Sequence, residues 1–301
     1  IREWKIVEKT HIDCIFFLIL TVKKILFNSI VKTSAIFIWI LILIGIFVTL
    51  KNIQPEKNKK PLVLDKINDI GSNPTQDRII NTYVNWRDSR NFYYSANLKI
   101  SYYDYLKSIR NRDRSNTEDI EWLYVDIFNS DYYDLDRVYS ALDFIRKDRS
   151  LSKKKFAEIV VAMVQHIPYS YVTGRTCREV ASRDSSVFYN ISRGVQCEGL
   201  VKGGVYTPLE FIRKKKGDCD SRTLLIFTIL RYFGYDVVIL NSDLYAHSVI
   251  GLNIPYSGLY KYYRGRRYYT WETTTTGYDL GMLHPSNSNI NSWYVALRWY
   301  K

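Results

Sequence analysis

The sequence predicts an α+β fold in which a central helix packs on an antiparallel sheet, preceded by a helical lead-in and one transmembrane helix. Three patterns carry this prediction. Residues 33–50 form an uncharged apolar run, apolar side chains recur at helical spacing between residues 134 and 167, and a nearly all-apolar helical stretch at 218–233 is followed by three strand-like stretches. A chain of 301 residues has room for one large or two small domains.

The first element is the run TSAIFIWILILIGIFVTL at residues 33–50, which is bracketed by Lys32 and Lys51. Eighteen residues at about 1.5 Å rise per residue are just long enough to cross a hydrocarbon core about 30 Å thick. The run has no polar stripe, so we predict a transmembrane helix rather than a helix on the surface of a core. Because lysines interrupt the apolar stretch before it, residues 1–32 are predicted as a juxtamembrane segment at the interface, with a second span as the alternative.

The next stretch, residues 51–75, contains three prolines and scattered charges, which is typical of a linker. Residues 76–150 are predicted as a helical lead-in region with one strand near residues 92–100. Two helices with clear apolar faces follow that strand, and Ser152 is expected to cap the second of them. Residues 151–301 are predicted as the main domain.

The net charge of +13 favours an anionic partner such as lipid headgroups, acidic glycans or nucleic acid. The sequence shows neither zinc-finger spacing nor an aromatic RNP-like strand, so no nucleic-acid partner is expected. It also lacks metal-ligand spacings such as C-x-x-C, so we predict neither a metal nor another cofactor. The charge is interpreted as a basic face on a domain tethered to a membrane.

Two helix starts surround the most informative stretch of sequence. The motif TPLE at residues 207–210 is the pattern of a capping box with proline in the first turn, and the lysines at 214–216 suit the end of the short helix that follows. After the glycine that breaks this helix, Asp218 is predicted to cap a second helix and to place Cys219 in its first turn. Residues 224–233 are apolar nearly all round, as expected of a buried central helix.

The placement of Cys219 matters because a thiol attacks a carbonyl carbon as the thiolate, and a helix N-terminus favours the anion. Two predicted strands follow the helix, with His247 near the start of the second, and a third predicted strand at residues 267–273 carries Glu272. A helix packed on an antiparallel sheet can bring these side chains together as nucleophile, base and orienting carboxylate. The alternative, a buried structural cysteine, fits poorly because the residues on both sides of the thiol are polar.

A family resemblance lies in the same motifs. GDCDSRTLL at residues 217–225, followed by AHSVIGLN and TWETT, resembles the transglutaminase-like superfamily of papain-type thiol enzymes. The likeness covers residues 135–301 and extends, through VQHIPYSYV and GVYTPLEFIRKKKGDCD, to membrane-anchored bacterial members of unassigned function. It implies a papain/transglutaminase-like core and a catalytic domain at residues 151–301.

The resemblance also implies a role for each candidate residue. Cys219 is the expected nucleophile, His247 the general base and Glu272 the third member of the triad. The family's usual third residue is aspartate, so the glutamate is a departure. The backbone N–H of Cys219 is expected to serve the oxyanion hole, with Tyr206 as the candidate for a second donor.

The two cysteines upstream, Cys177 and Cys197, are predicted to form a disulfide, because they lie twenty residues apart without metal-ligand spacing around them. A metal site shared with Cys219 and His247 is the alternative. A structural disulfide indicates an oxidising compartment, so we expect a single-pass membrane protein with a periplasm-like, extracytoplasmic domain. Lysine counts around the span favour the opposite orientation. Because the sequence does not begin with methionine, we also expect residues upstream of it.

Two functions follow from these features. The first is a membrane-anchored cysteine enzyme that attacks amide carbonyls of protein or peptide substrates through a thioester, as a peptidase, an amidase or a transglutaminase. The second is a non-catalytic binding or assembly module that keeps the same fold. Retention of all three candidate positions favours the enzyme.

Overall fold

The structure is a computed structural model and describes residues 77–299. Three predictions lie outside the described residues: the interfacial segment at 1–32, the transmembrane helix at 33–50 and the linker at 51–75. Among the described residues, no helix combines the length and the apolar character needed to cross a bilayer. Residues 77–299 form an α+β fold with eight α-helices, an antiparallel hairpin and a larger antiparallel sheet.

The described chain begins with an antiparallel hairpin of β1 (Ile79–Arg87) and β2 (Tyr93–Ser101). β2 confirms the strand predicted near residues 92–100, whereas β1 was not predicted, so the lead-in is not wholly helical. In β1 a buried residue, Thr82, is polar and its exposed neighbour, Tyr83, is aromatic. This inversion hides the alternation of apolar and polar side chains by which a half-buried strand is identified.

Four helices follow the hairpin; the last three turn apolar faces into the core, whereas the first buries Ser108 and Arg112. The hydroxyl of Ser152 caps the fourth by accepting a hydrogen bond from the N–H of Lys155, as the sequence predicted. The four helices are α1 (Tyr102–Arg114), α2 (Ile120–Asp131), α3 (Asp136–Asp148) and α4 (Lys153–Gln165).

A disulfide closes the next part of the chain. It joins Cys177 to Cys197, whose Cα atoms lie 6.1 Å apart, which confirms the predicted pair and removes both thiols from the alternative metal site. Closing a loop of this length stabilises a fold by about 3 kcal/mol in the chain-entropy model. The bridged segment lies between two short parallel strands and holds two short helices: β3 (Ser170–Val172), α5 (Cys177–Arg183), α6 (Ser185–Ser192) and β4 (Gln196–Glu198).

The remaining chain forms two helices and a five-stranded sheet. Every neighbouring pair in the sheet is antiparallel, and the strand order is β7-β8-β6-β5-β9. The helix α8 contacts α4, α7, β5 and β6, so the predicted central helix on an antiparallel sheet is present. The elements are α7 (Pro208–Lys214), α8 (Cys219–Tyr232), β5 (Val237–Ser242), β6 (His247–Leu252), β7 (Tyr260–Tyr263), β8 (Arg266–Trp271) and β9 (Tyr294–Arg298).

One continuous apolar core extends over these elements and includes residues from both 76–150 and 151–301. Every residue of α8 from Leu224 to Leu230 is buried, as the apolar pattern at 224–233 predicted. A helix held on all sides cannot shift without opening the core. Its N-terminus, where Cys219 lies, is therefore a fixed position in the fold.

The start of α7 follows the predicted capping box only in part. Thr207 accepts a hydrogen bond of 3.2 Å from the N–H of Glu210, as expected. The carboxylate of Glu210 does not return to the cap but pairs with Arg112 of α1 and Lys214. A buried cation that needs a partner takes precedence over a cap here, because leaving the guanidinium unpaired costs more than losing one cap bond.

Candidate active site

Cys219 is the first residue of α8, so its thiol lies at the N-terminus of the buried helix. The Asp218 carboxylate caps this helix by accepting hydrogen bonds from the N–H (3.0 Å) and the hydroxyl (2.7 Å) of Ser221. A Cβ at Gly217 would lie 2.7 Å from the ring of Phe211, so the chain enters the helix where only glycine fits without displacing that ring. These contacts confirm the predicted helix start and hold the thiol on a rigid element.

The imidazole of His247 and the carboxylate of Glu272 contact each other directly. His247 begins β6 and Glu272 directly follows β8, and the antiparallel pairing of these strands brings the two side chains together. Nε2 of the imidazole lies 3.0 Å from Oε2 and 3.2 Å from Oε1 of the carboxylate. Because an ionised carboxylate can only accept, Nε2 carries the proton, and Nδ1 is the basic nitrogen of the neutral ring.

Further donors hold the Glu272 carboxylate. Its Oε1 accepts from the backbone N–H groups of Thr273 and Thr274, both at 2.9 Å, and from the Thr274 hydroxyl at 2.7 Å. Burial alone would raise the pKa of Glu272, but the hydrogen bond and charge of His247 and the bonds from Thr274 outweigh it and lower the pKa to about 2. Glu272 is therefore ionised at neutral pH and can stabilise an imidazolium.

The thiol lies beside the strand that carries His247 but is not bonded to its ring. The sulfur of Cys219 lies 3.8 Å from Oδ2 of Asp220, and the backbone of Ser248, the next residue after His247 along β6, lowers the pKa of the thiol. Within residues 77–299, no hydrogen bond joins the sulfur to either ring nitrogen of His247. The structure thus gathers the three predicted residues, with the His247–Glu272 link formed and the Cys219–His247 link open.

The environment of Cys219 favours the neutral thiol. Burial raises the pKa of this thiol most, the carboxylates of Asp220 and Asp218 raise it further, and the backbone of Ser248 lowers it. The residue is 6% exposed. The helix N-terminus favours the thiolate, but two carboxylates next to the cysteine in sequence act against it, so the resting form carries its proton.

Asp220 is a neighbour of the thiol that the sequence analysis did not single out as a site residue. Its Oδ1 accepts a hydrogen bond from the hydroxyl of Tyr124 on α2, and the side chain of Ser248 also faces the carboxylate and lowers its pKa. The side chain keeps partial exposure to solvent. Its position next to Cys219 was a usable signal, whereas no local pattern distinguishes Tyr124, 96 residues earlier, from the other tyrosines among the 26 in the chain.

The hydroxyl of Tyr206, the predicted second oxyanion donor, already donates its proton to another side chain. Its hydroxyl donates a hydrogen bond of 2.5 Å to Oε2 of Glu198. The ammonium of Lys214 lies over its ring and also pairs with Glu198. A hydroxyl bound in this way cannot donate to a reaction intermediate without breaking a charge-assisted bond, so the geometry does not favour the predicted role.

Tyr169 has the better position of the two tyrosines. A parallel bridge joins its backbone to Gly217, two residues before the nucleophile candidate Cys219. Burial raises the pKa of Tyr169 most, and the charge of Cys219 raises it further. Sequence reasoning missed it, because the bridge depends on a contact between distant segments.

Arg222, wholly buried in α8, ties the site to its surroundings. Its guanidinium donates to the carbonyl of Gly217 at 3.1 Å and to those of Val164 and Ile167, at the end of α4, at 2.7 and 2.6 Å. The carbonyl of Thr273, next to Glu272, lies at 3.5 Å. The last carbonyls of a helix lack partners within it, and burial, which lowers the pKa of Arg222 to about 10, leaves the group charged at neutral pH.

The geometry of the site is the basis for interpreting it. No protein-family model, no curated protein and no solved structure matches this chain.

Proposed function

We propose that this chain is a cysteine acyl-transfer enzyme of peptidase, amidase or transglutaminase type, built on a transglutaminase-like core. The 3.0 Å contact between Nε2 of His247 and Glu272, beside a thiol at a helix N-terminus, is the observation that carries the proposal. The helix-on-sheet core and the motif resemblance support it. The helix predicted at 33–50 would hold the enzyme at a membrane, and the disulfide supports an oxidising compartment.

The first half of the reaction forms a thioester. As Sγ of Cys219 attacks the carbonyl carbon of a protein or peptide amide, its proton passes to Nδ1 of His247, and Glu272 stabilises the imidazolium. When the tetrahedral intermediate collapses, the C–N bond breaks. The proton on Nδ1 goes to the departing amine, and the acyl group stays on the sulfur.

The second half releases the acyl group. His247 takes a proton from water or from a primary amine as that acceptor attacks the thioester carbon. The C–S bond then breaks and the sulfur recovers the proton, which gives a carboxylic acid with water or a new amide with an amine. The backbone N–H of Cys219 and the hydroxyl of Tyr169, in place of Tyr206, are the donors proposed for the oxyanion.

A non-catalytic module is the second candidate, and two observations favour it. The thiol is 6% exposed, and its link to the imidazole is open. Catalytic hydrogen bonds are often loose in resting enzymes and tighten when substrate binds, so the enzyme proposal requires that substrate brings Sγ to Nδ1. A module would require no such closure.

Acyl-enzyme formation tests the proposal directly. The full-length chain would carry Cys14→Ser, so that Cys219 is its one thiol outside the disulfide. Activated esters and a peptide library would be presented, and the acyl adduct read by intact mass. We expect one adduct per chain, none in Cys219→Ala, and a rate at least about 10³-fold lower in His247→Gln. Exposed His284 provides the matched control, because His284→Gln should react like the parent chain.

Two outcomes would decide against the enzyme. Turnover that survives Cys219→Ala would remove the thiol from the chemistry. A folded chain that forms no adduct with any ester or peptide would leave the module as the function. Adding a fluorescent primary amine to the acyl-enzyme separates hydrolysis from transfer, because transfer attaches the dye to the acyl group.

A further inference from the structure

The sulfur of Cys219 has a second polar neighbour outside the candidate triad. Oδ2 of Asp220 lies 3.8 Å from the sulfur, and Oδ1 of the same carboxylate accepts the hydroxyl proton of Tyr124. The side chain of Ser248 on β6, whose hydroxyl lies 2.9 Å from that of Thr223 on α8, also faces the carboxylate and lowers its pKa. Contacts from α2, α8 and β6 therefore fix the carboxylate next to the sulfur.

We propose that Asp220 is a positioning residue of this site. Its carboxylate, oriented by Tyr124, holds Cys219 as a protonated thiol in the resting state. The proton moves to His247 only after substrate brings the sulfur and the ring together. The inference rests on the proposed function and names the group that controls its nucleophile.

The contact itself gives the physical reason. A thiol can donate its proton towards a carboxylate, whereas a thiolate at the same distance would meet a like charge. The Asp220 contact therefore favours the neutral sulfur over the anion. His247 does not compete for the proton in this geometry, because its ring is held by Glu272 and forms no bond to the sulfur within residues 77–299.

Tyr124 orients Asp220 and favours its charged form. The tyrosine side chain is wholly buried, and Asn241 of β5 faces its hydroxyl. Burial raises the pKa of the Asp220 carboxyl most, and the hydrogen bond from Tyr124 is the first of the contacts that lower it. Loss of the Tyr124 hydroxyl should weaken this effect without emptying space in the core, since phenylalanine fills the same volume.

Other titratable and charged groups also face Asp220 or the sulfur. The carboxylates among them disfavour the thiolate as Asp220 does, whereas the His247 charge favours an ionised Asp220. Asp220 differs from the other carboxylates because it contacts the sulfur. Arg222 of α8 is a cation that is charged at neutral pH, and it favours the thiolate. The groups come from five elements: Tyr124 on α2, Tyr169 before β3, Asp218 and Arg222 of α8, His247 on β6 and Glu272 after β8.

Alkylation of the thiol tests the inference without any knowledge of the substrate. The full-length Cys14→Ser chain would be treated with iodoacetamide from pH 5 to pH 10, and the rate at Cys219 followed by intact mass. Removing a charge about 4 Å from the sulfur should lower the pH midpoint of alkylation by about one pH unit or more. Asp220→Asn should therefore raise the alkylation rate at pH 7 at least about tenfold. Tyr124→Phe should raise it by a smaller factor. Asp243→Asn is the control, since this acid is exposed and lies outside the contact.

The outcomes separate the inference from the proposed function. If folded Asp220→Asn reacts no faster than the parent and its midpoint does not move, the inference is wrong. If Asp220→Asn fails to fold, Tyr124→Phe decides, and an unchanged rate in that variant overturns the inference. If Asp220→Asn alkylates faster but the parent chain never forms an acyl-enzyme, the role of Asp220 stands and the proposed enzyme function fails. If the parent forms an acyl-enzyme but the Asp220→Asn midpoint is unchanged, the enzyme function stands and the role of Asp220 fails.

Discussion

Replacing Glu272 with glutamine tests the candidate site through stability and reactivity together. Glutamine keeps the shape of the side chain and one acceptor oxygen for Thr273 and Thr274 but loses the charge. Its amide N–H groups would face Nε2 of His247, which must then accept rather than donate. The imidazole would carry its proton on Nδ1, and in that tautomer it cannot take the proton of the Cys219 thiol.

The size of the stability effect follows from the pKa of Glu272, which the fold lowers from 4.5 to about 2. That difference corresponds to about 3 kcal/mol in the free energy of unfolding. A carboxyl group with a depressed pKa contributes its full stability above its unfolded value and loses it as the pH falls through its folded value. The free energy of unfolding of the parent should therefore exceed that of Glu272→Gln by about 3 kcal/mol at pH 7. This difference should disappear as the pH falls from 4.5 to 2.

Urea unfolding at a series of pH values would measure this difference in stability. The rate of acyl-enzyme formation would report whether the His247 tautomer has changed. We expect the rate to fall by at least about 10³-fold, with the expression level and far-UV spectrum unchanged. Glu118→Gln provides the matched control, because the Glu118 side chain is 94% exposed and its loss should change neither quantity. Equal urea midpoints at pH 7, or a Glu272→Gln chain that acylates at the parent rate, would refute the assigned roles.

Three further predictions have defined outcomes. Burial raises the pKa of Asp131 from 3.8 to about 7, so the stability it contributes is complete below pH 3.8 and lost as the pH rises through 7. Asp131→Asn should therefore stabilise the fold at pH 8 and not at pH 4, and equal urea midpoints at pH 8 would count against it. Arg222→Met leaves buried carbonyls without donors and should cost about 3 kcal/mol, or about 6–12 °C in Tm, in a melting experiment. Tyr169→Phe should lower kcat about 10²-fold while Tyr206→Phe leaves it unchanged, and the opposite ranking would restore the original oxyanion assignment.

Local sequence was sufficient to predict the elements that carry the triad. The cap at Asp218, the buried helix after it and the strand that begins at His247 depend on residues within one or two turns of each other. The Cys177–Cys197 pair followed from spacing and was confirmed. In each case the pattern lies within a short segment, so the prediction does not depend on which distant segments pack together.

Sequence was insufficient where a role depends on a distant partner. Tyr124 meets Asp220 across 96 positions, and Arg222 binds carbonyls 55 and 58 positions away in Ile167 and Val164. A buried arginine that binds only backbone leaves no complementary charge to find in the sequence. The bond between Tyr206 and Glu198 was missed for the same reason, because Glu198 lies on a strand that local periodicity does not reveal.

The carboxylates around the thiol bear on whether Cys219 is merely a packing residue. Asp218, Asp220 and Glu272 all raise the pKa of Cys219, and burial raises the pKa of the first two carboxyls as well. A cysteine kept for packing would be more stable among apolar neighbours, because carboxylates held away from water reduce stability. Asp218 has a structural duty as a helix cap, and Glu272 holds an imidazole. Asp220 has neither duty; it accepts the hydroxyl of Tyr124 and contacts the sulfur, and the proposed control of the sulfur accounts for the second contact.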